Sequence, residues 1–133
     1  MDTENEKIDV NKIYSFWQET LGMVPEPIML LGTYAPQMLD AYNRMRRYYL
    51  REPPKGALSR KLKELLYVTL DIVLGAPDTA MQAHVKEALK AGATVEELVE
   101  AVTLTIMLGG MPKYMSTGYK AIKTAVDIDK DVR

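Results

Sequence analysis

The spacing of apolar residues constrains the fold of this chain more than any other feature of its sequence. Apolar side chains recur every three or four residues through most of the chain, and no stretch shows the sustained alternation of a half-buried strand. Glycines and prolines separate these periodic stretches. The pattern predicts an all-α protein, a bundle of six or seven helices joined by short turns.

Local signals at the ends of the periodic stretches predict the helix boundaries. Gly22 and Gly75 are suited to ending helices, Ser59 is a good N-cap, and Thr94 with Glu97 forms a capping-box pattern. A short apolar turn is expected at residues 28–34, and a break is expected at residues 109–112, which contain two glycines and a proline. With the short turn at residues 28–34 counted as the second, the predicted helices cover about residues 9–21, 37–50, 60–74, 77–91, 94–108 and 113–126.

Length and charge limit the domain organisation and the partners. The 133 residues suffice for a single domain, expected to span residues 1–133 with frayed tails at 1–8 and 127–133. With 17 basic and 18 acidic residues, the chain lacks the basic surface that nucleic acids or anionic membranes require. Its longest apolar run, residues 62–76, is interrupted by charges and is shorter than the roughly 20 residues that span a bilayer. The polar, acidic N-terminus is unlike a secretory signal, so we expect a cytoplasmic protein.

The absence of cysteine narrows the available chemistry. It excludes disulfides, thiolate nucleophiles, iron–sulfur clusters and cysteine zinc sites. One histidine alone makes a poor site for a transition metal, so we expect neither a metal nor another cofactor. Any reaction is therefore left to carboxylates, hydroxyls and His84.

Two carboxylates lie within the otherwise mostly apolar fourth predicted helix. Glu64 and Asp71 are seven residues apart, which places them on nearly the same face, about 10 Å apart along the axis. A buried carboxylate needs a partner or a wet pocket, since its desolvation costs several kcal/mol. The alternative is that both acids face solvent at the edge of the bundle, near Lys61 and Lys63.

His84 lies within the apolar stripe of the fifth predicted helix, so it is expected to point inward or into a cleft. It could be a core histidine held by one carbonyl or hydroxyl. The tight turn at residues 75–77, however, predicts that helices four and five are antiparallel neighbours, which could bring Glu64 or Tyr67 toward His84. Such a carboxylate–imidazole pair can move a proton near neutral pH.

Candidate substrate-binding residues are three tyrosines and one carboxylate. Each tyrosine is embedded among apolar residues, where its hydroxyl needs a partner. The four candidates are Tyr67, Tyr114, Tyr119 and Asp71. The partner expected here is a small-molecule substrate.

Three blocks of the sequence, in order, resemble the carboxymuconolactone decarboxylase family, which includes the alkylhydroperoxidase D-like proteins. The first is the Lys-x-x-Glu-Leu pattern at residues 61–65, the second is residues 84–100, His-Val-Lys-Glu-Ala-Leu-Lys-Ala-Gly-Ala-Thr-Val-Glu-Glu-Leu-Val-Glu, and the third is Gly-Gly-Met-Pro at residues 109–112. The resemblance implies an alkylhydroperoxidase D-like helical fold that assembles into trimers or hexamers, with active sites close to subunit contacts.

The resemblance also implies roles for individual residues. In the redox branch of the family, a glutamate and a histidine relay protons to a pair of cysteines, and these two residues correspond to Glu64 and His84. Both cysteines are missing here, which excludes a thiol peroxidase. The decarboxylase branch works without them, on a small anionic lactone that loses carbon dioxide.

Two hypotheses follow. The first is a cofactor-free lyase, decarboxylase-like, or an isomerase, acting on a small organic acid, lactone or ketone. In it, His84 is the general acid/base and Glu64 its orienting group or proton partner. The second is a non-catalytic homo-oligomeric binding or accessory protein that has kept the scaffold.

Overall fold

A computed structural model describes residues 7–132 of the chain. Within this range all regular structure is helical and no strand occurs, which confirms the predicted all-α class. A π-helical segment, Tyr114–Gly118, joins the last two helices. The helices are α1 (Val10–Leu21), α2 (Glu26–Tyr34), α3 (Pro36–Tyr49), α4 (Arg60–Leu74), α5 (Asp78–Lys90), α6 (Val95–Lys113) and α7 (Tyr119–Val132).

The predicted boundary signals have the expected geometry. The Ser59 hydroxyl accepts a hydrogen bond from the backbone N–H of Leu62 at the start of α4. Gly75 ends the same helix in the left-handed conformation, at φ 76°. At the start of α6, Thr94 and Glu97 each accept a hydrogen bond from the other's backbone N–H, at 3.0 and 3.1 Å. This capping box satisfies two N–H groups that a helix start leaves without partners.

The structure differs from the sequence prediction at α2 and at α7. The predicted short turn at residues 28–34 is part of α2, which begins at Glu26 because Pro27 in the first turn sacrifices no helical hydrogen bond. The predicted frayed tail at residues 127–133 is wrong up to Val132, since α7 continues to that residue. Half-buried Ile128 and Asp129 show that this last turn is partly covered. Residues 1–6 and 133 of the predicted tails lie outside the described residues.

The predicted break at residues 109–112 is a kink rather than a helix end. Gly110 adopts φ 81° and ψ 164°, far from helical values, while α6 as a whole continues to Lys113. The positive φ is accessible to glycine without steric cost. Pro112 lies just after the kink and lacks the N–H that a regular helix would use.

The chain divides into two compact units between Arg51 and Glu52. In the first unit, α1 and α2 both pack against α3, and Ile13 and Leu39 are buried. The sequence predicted a single domain, and that remains a prediction.

The second unit contains α4 to α7 and the residues proposed for chemistry. Helix α4 packs against α5 and α6, while α7 packs against the same two helices. Its core is formed by fully buried apolar side chains from all four helices: Val68, Ile72, Met81, Val85, Leu98, Val102, Ala121 and Ala125. The α4–α5 pairing predicted from the tight turn at residues 75–77 is present.

Candidate active site

Glu64 is a buried carboxylate in the core-facing stripe of α4. It precedes Val68 and Ile72 by one and two helical turns, so the spacing that buries these two apolar side chains also buries Glu64. Its side chain is only 2% exposed. A carboxylate in this position requires partners for both oxygens, and the structure provides them.

Arg60 is the first partner of Glu64. One turn earlier on α4, its Nε donates to Glu64 Oε1 at 2.8 Å, and its Nη2 donates to Glu87 Oε2 on α5 at 3.1 Å. Sequence reasoning missed both Arg60 and Glu87. The four-residue spacing of Arg60 and Glu64 was a usable signal, whereas Glu87 comes from another helix.

His84 is the second partner of Glu64. From α5, its Nδ1 lies 2.8 Å from Glu64 Oε2, and its side chain is 30% exposed. The Tyr67 ring stacks on the imidazole with centroids 4.6 Å apart and planes inclined by 21°. A carboxylate can only accept a hydrogen bond, so Nδ1 carries the proton and the lone pair of the neutral ring is at Nε2.

Asp71 lies on the Nε2 side of the imidazole. Its Oδ2 is 3.8 Å from His84 Nε2, its side chain is 14% exposed, and Oδ2 is a buried atom without a hydrogen-bond partner. Desolvation raises the pKa of the Asp71 carboxyl above its usual value. The charge of His84 acts in the opposite direction, and that of Glu64 adds to the rise. The imidazole is thus flanked by a carboxyl group on each nitrogen.

The structure brings together four of the six predicted site residues. Glu64, His84, Tyr67 and Asp71 form one cluster on α4 and α5. In the described part of the chain, no hydrogen bond or ring contact joins Tyr114 or Tyr119 to His84. Tyr114 packs against the apolar core and Tyr119 is exposed. The catalytic and binding roles of all six remain predictions.

The alternatives considered for the two acids and the histidine can now be compared with their environments. Glu64 does not face solvent at the bundle edge, and Asp71 is largely covered. His84 is held by a carboxylate rather than by a single carbonyl or hydroxyl, and it retains access to solvent. Both acids are covered because their side of α4 faces α5. In the sequence, only the tight turn at residues 75–77 indicates that these two helices are neighbours.

Other features of the described residues bear on function. Between positions 7 and 132, no group of three or more His, Asp or Glu side chains is placed to hold a metal ion. No described helix has both the length and the apolar character needed to cross a membrane. A cavity of about 290 Å³ is lined by residues that include Leu89, Val95 and Ile128, and not by Glu64 or His84. The imidazole is reached from the surface, since the His84 side chain is 30% exposed.

Comparison with known proteins decides the family. The model of the carboxymuconolactone decarboxylase family matches residues 36–123, which include every residue of the cluster. The chain belongs to the carboxymuconolactone decarboxylase family. The resemblance carried by the three sequence blocks is thereby confirmed, including that of a member without cysteines.

Two proteins similar to this family member extend the comparison. An uncharacterized protein of Cupriavidus necator is 31% identical over 85 residues, which are 64% of this chain and 72% of the relative. The crystal structure of a Burkholderia xenovorans LB400 protein, provisionally named carboxymuconolactone decarboxylase, superposes with a TM-score of 0.79. Its identity is 35%, and the match covers 93% of this chain and 96% of that one. The fold is therefore that of the family.

Proposed function

We propose that the protein is a cofactor-free proton-transfer enzyme, a decarboxylase-like lyase or an isomerase that acts on a small organic acid, lactone or ketone. The observation that carries the proposal is the 2.8 Å contact between Glu64 Oε2 and Nδ1 of the partly exposed His84. A histidine oriented by a buried carboxylate can give and take a proton at its other nitrogen near neutral pH.

Glu64 acts on the reaction through His84. Its carboxylate fixes the imidazole in the tautomer that presents the Nε2 lone pair, and it stabilises the imidazolium once a proton has been taken up. Arg60 offsets the cost of burying the Glu64 charge, and Glu87 in turn holds Arg60. The Tyr67 ring restricts rotation of the imidazole by stacking on it.

Decarboxylation requires one proton at a defined place. When the bond to the departing carboxylate breaks, carbon dioxide leaves and the electron pair remains on the substrate as an enolate. Nε2–H of a protonated His84 supplies the proton that neutralises this enolate. An isomerase would use the same nitrogen first to remove and then to return a proton.

The direct test is turnover by the purified protein. The protein is offered carboxymuconolactone, related oxo-acids, and neutral ketones and lactones, and we expect turnover of at least one of them, measured by carbon dioxide release or by the absorbance of the product. His84→Ala and Glu64→Gln should each lower the rate about 100-fold or more. Glu100→Gln, at an exposed position of α6, is the matched control. Undiminished turnover by His84→Ala would exclude the mechanism.

A second candidate function is a non-catalytic homo-oligomeric binding or accessory protein, and the surface of α6 favours it. Met107 and Leu108 are 83% and 92% exposed, Leu104 lies one turn before them, and the exposed Met111 follows the kink at Gly110. We name these four residues the α6 stripe. We propose that a second copy of the chain covers it, in a trimer or hexamer. This function predicts that His84→Ala and Glu64→Gln alter stability only.

A further inference from the structure

Asp71 differs from the other acidic groups around His84 because its Oδ2 has no hydrogen-bond partner among the described residues. Both Glu64 oxygens are engaged, by Arg60 and by His84, and Glu87 Oε2 accepts from Arg60. Asp71 Oδ2 is equally withdrawn from solvent, yet it has no hydrogen-bond partner. A buried polar atom left unpaired costs stability, and such atoms are concentrated at functional sites.

The position of Asp71 defines a gap beside the imidazole. Its Oδ2 and His84 Nε2 are 3.8 Å apart, which is too far for a hydrogen bond between them. Two groups at this separation can both reach a single functional group of a bound molecule. His84 is 30% exposed, so a small molecule reaches the imidazole from the surface, whereas Asp71 Oδ2 is covered and must be uncovered by a movement of the Asp71 side chain.

We propose that Asp71 is a second catalytic residue, the base that removes a proton from the carbon next to a carbonyl group while His84 protonates the carbonyl oxygen. The proposal rests on the proton-transfer function of His84 and deepens it. It gives the two nitrogens of His84 different tasks: Nδ1 is held by Glu64, and Nε2, once the ring is protonated, donates to the substrate beside Asp71.

The proton and electron balance closes without a further reactant. The substrate C–H bond breaks, its proton moves to Asp71 Oδ2, and its electron pair forms the carbon–carbon double bond of an enol. The carbonyl oxygen takes the Nε2 proton of the imidazolium, which leaves His84 neutral. In the second half, Asp71 returns its proton to a carbon of the substrate, and the enol O–H returns its proton to Nε2.

The burial of Asp71 suits it to this task. Desolvation raises the pKa of its carboxyl, which makes the carboxylate a stronger base than one in water. On the other nitrogen, Glu64 stabilises the imidazolium that must donate. The two carboxyl groups thus have different roles because one is fully hydrogen-bonded and the other is not.

The charges around Asp71 point to an uncharged substrate. The charges that shift the pKa of its carboxyl are those of His84 and Glu64. Arg60, the cation beside Glu64, is engaged by two carboxylates. A substrate carboxylate at this gap would lie beside the carboxyl groups of Asp71 and Glu64, so a neutral ketone or lactone is the class that fits.

The test uses proton transfer in a neutral compound as its readout. α-Angelica lactone, an unsaturated lactone that isomerises when a ring proton is moved, and cyclopentanone, which exchanges α-protons in D₂O, are followed by NMR with the full-length protein. Levulinate provides an anionic ketone for comparison. The variants are Asp71→Asn, His84→Ala and Asp127→Asn, the last an exposed carboxylate on α7 that serves as control.

We expect the wild-type protein and Asp127→Asn to be equally active and Asp71→Asn to be about 100-fold slower or worse. The unfolding temperature of Asp71→Asn should be no lower than that of the wild type. The loss of activity is then not caused by a loss of folded protein. In Asp71→Ala, added formate should restore part of the rate and sodium chloride should not, because formate supplies a base.

Each contrary result identifies what fails. Full activity of Asp71→Asn, with His84→Ala inactive, would overturn the role of Asp71 and leave the proposed function in place. Full activity of both variants would overturn the role of Asp71 and the proposed function together. A wild-type protein that is inert toward the two neutral compounds, or faster on levulinate, would overturn the neutral-carbonyl substrate class.

Discussion

Two surfaces of the second unit depart from the usual distribution of polar and apolar residues, in opposite directions. The face between α4 and α5 buries the Glu64 carboxylate in line with Val68 and Ile72. On α6, the stripe formed by Leu104, Met107, Leu108 and Met111 exposes large apolar side chains. The first surface has acids where a core is expected, and the second has core-type residues where solvent is expected.

The difference lies in where each departure is compensated. Glu64 is compensated inside the chain by Arg60 and His84, both within 2.8 Å. Nothing within the second unit covers Met107 or Leu108, so the compensation proposed for the α6 stripe is a second copy of the protein. An internal network can be broken by one substitution without changing association, and the stripe can be broken without changing the network.

Removal of the Glu64 charge should have the largest effect on folding. Breaking a buried ion pair costs about 3–5 kcal/mol, and since Arg60 and His84 reach solvent we expect about 3 kcal/mol for Glu64→Gln. Urea denaturation measures this loss in the free energy of unfolding. Glu100→Gln, an exposed acid on α6, should stay within about 0.5 kcal/mol of wild type. Equal stability of the two variants would mean that the network contributes nothing.

Charges placed in the α6 stripe should break association without affecting the site. We expect Met107→Glu combined with Leu108→Glu to weaken self-association by more than roughly 100-fold, about 2.7 kcal/mol. Sedimentation velocity across a concentration series reports it. Lys123→Glu, an exposed site on α7, is the control and should associate as the wild type does. A wild-type protein that sediments only as a 15.0 kDa species would contradict the prediction.

Asp71→Asn should stabilise the protein, in contrast to Glu64→Gln on the same helix. Burial raises the pKa of Asp71, so the folded state binds its proton more tightly than the unfolded chain does. The contribution of Asp71 to stability is therefore fully present below the unfolded value of 3.8. It is lost as pH rises through the raised folded pKa.

At neutral pH we expect a gain of roughly 0.5–2 kcal/mol for Asp71→Asn, a size common for relieved functional strain. The gain should shrink on acidification toward pH 3.8. Urea denaturation at several pH values measures both. A loss of stability at neutral pH would show that the charged carboxylate is well paired.

The smallest effect is expected at the start of α6. Thr94→Ala removes one half of the capping box and should cost about 1 kcal/mol. Association should not change, because the α6 stripe is at least two turns away. Chemical denaturation and sedimentation of the same samples separate the two quantities. A concurrent loss of association would indicate that the stripe depends on the helix start.

Most of the fold could be predicted from the sequence because its signals are local. Ser59, Gly75 and the pair Thr94 and Glu97 each determine a boundary through bonds to the nearby backbone. The prediction failed where local chemistry permits two outcomes. Pro27 is compatible with a turn or with a helix start, and the charged residues after Val126 are compatible with a tail or with the last turns of α7.

The site could be predicted less completely because it depends on which faces of α4 and α5 meet. The approach of Glu64 and Tyr67 to His84 followed from the tight turn between the two helices. Two contacts depend on how α4 and α5 are rotated and how they cross, which spacing alone does not determine. They are the ion pair of Glu87 with Arg60 and the approach of Asp71 to His84 Nε2. Tyr114 and Tyr119 satisfied the same composition rule as Tyr67, yet they lie elsewhere.

The central claim is that Glu64 orients His84 through Nδ1 and leaves Nε2 for proton transfer. Because the chain has one histidine, the long-range ¹H–¹⁵N NMR spectrum of that ring in tag-free protein tests the claim without assignment ambiguity. The claim predicts that the neutral ring carries its proton on Nδ1, and that Glu64→Gln shifts the ring toward the Nε2–H form. A neutral wild-type ring already protonated at Nε2 would contradict it.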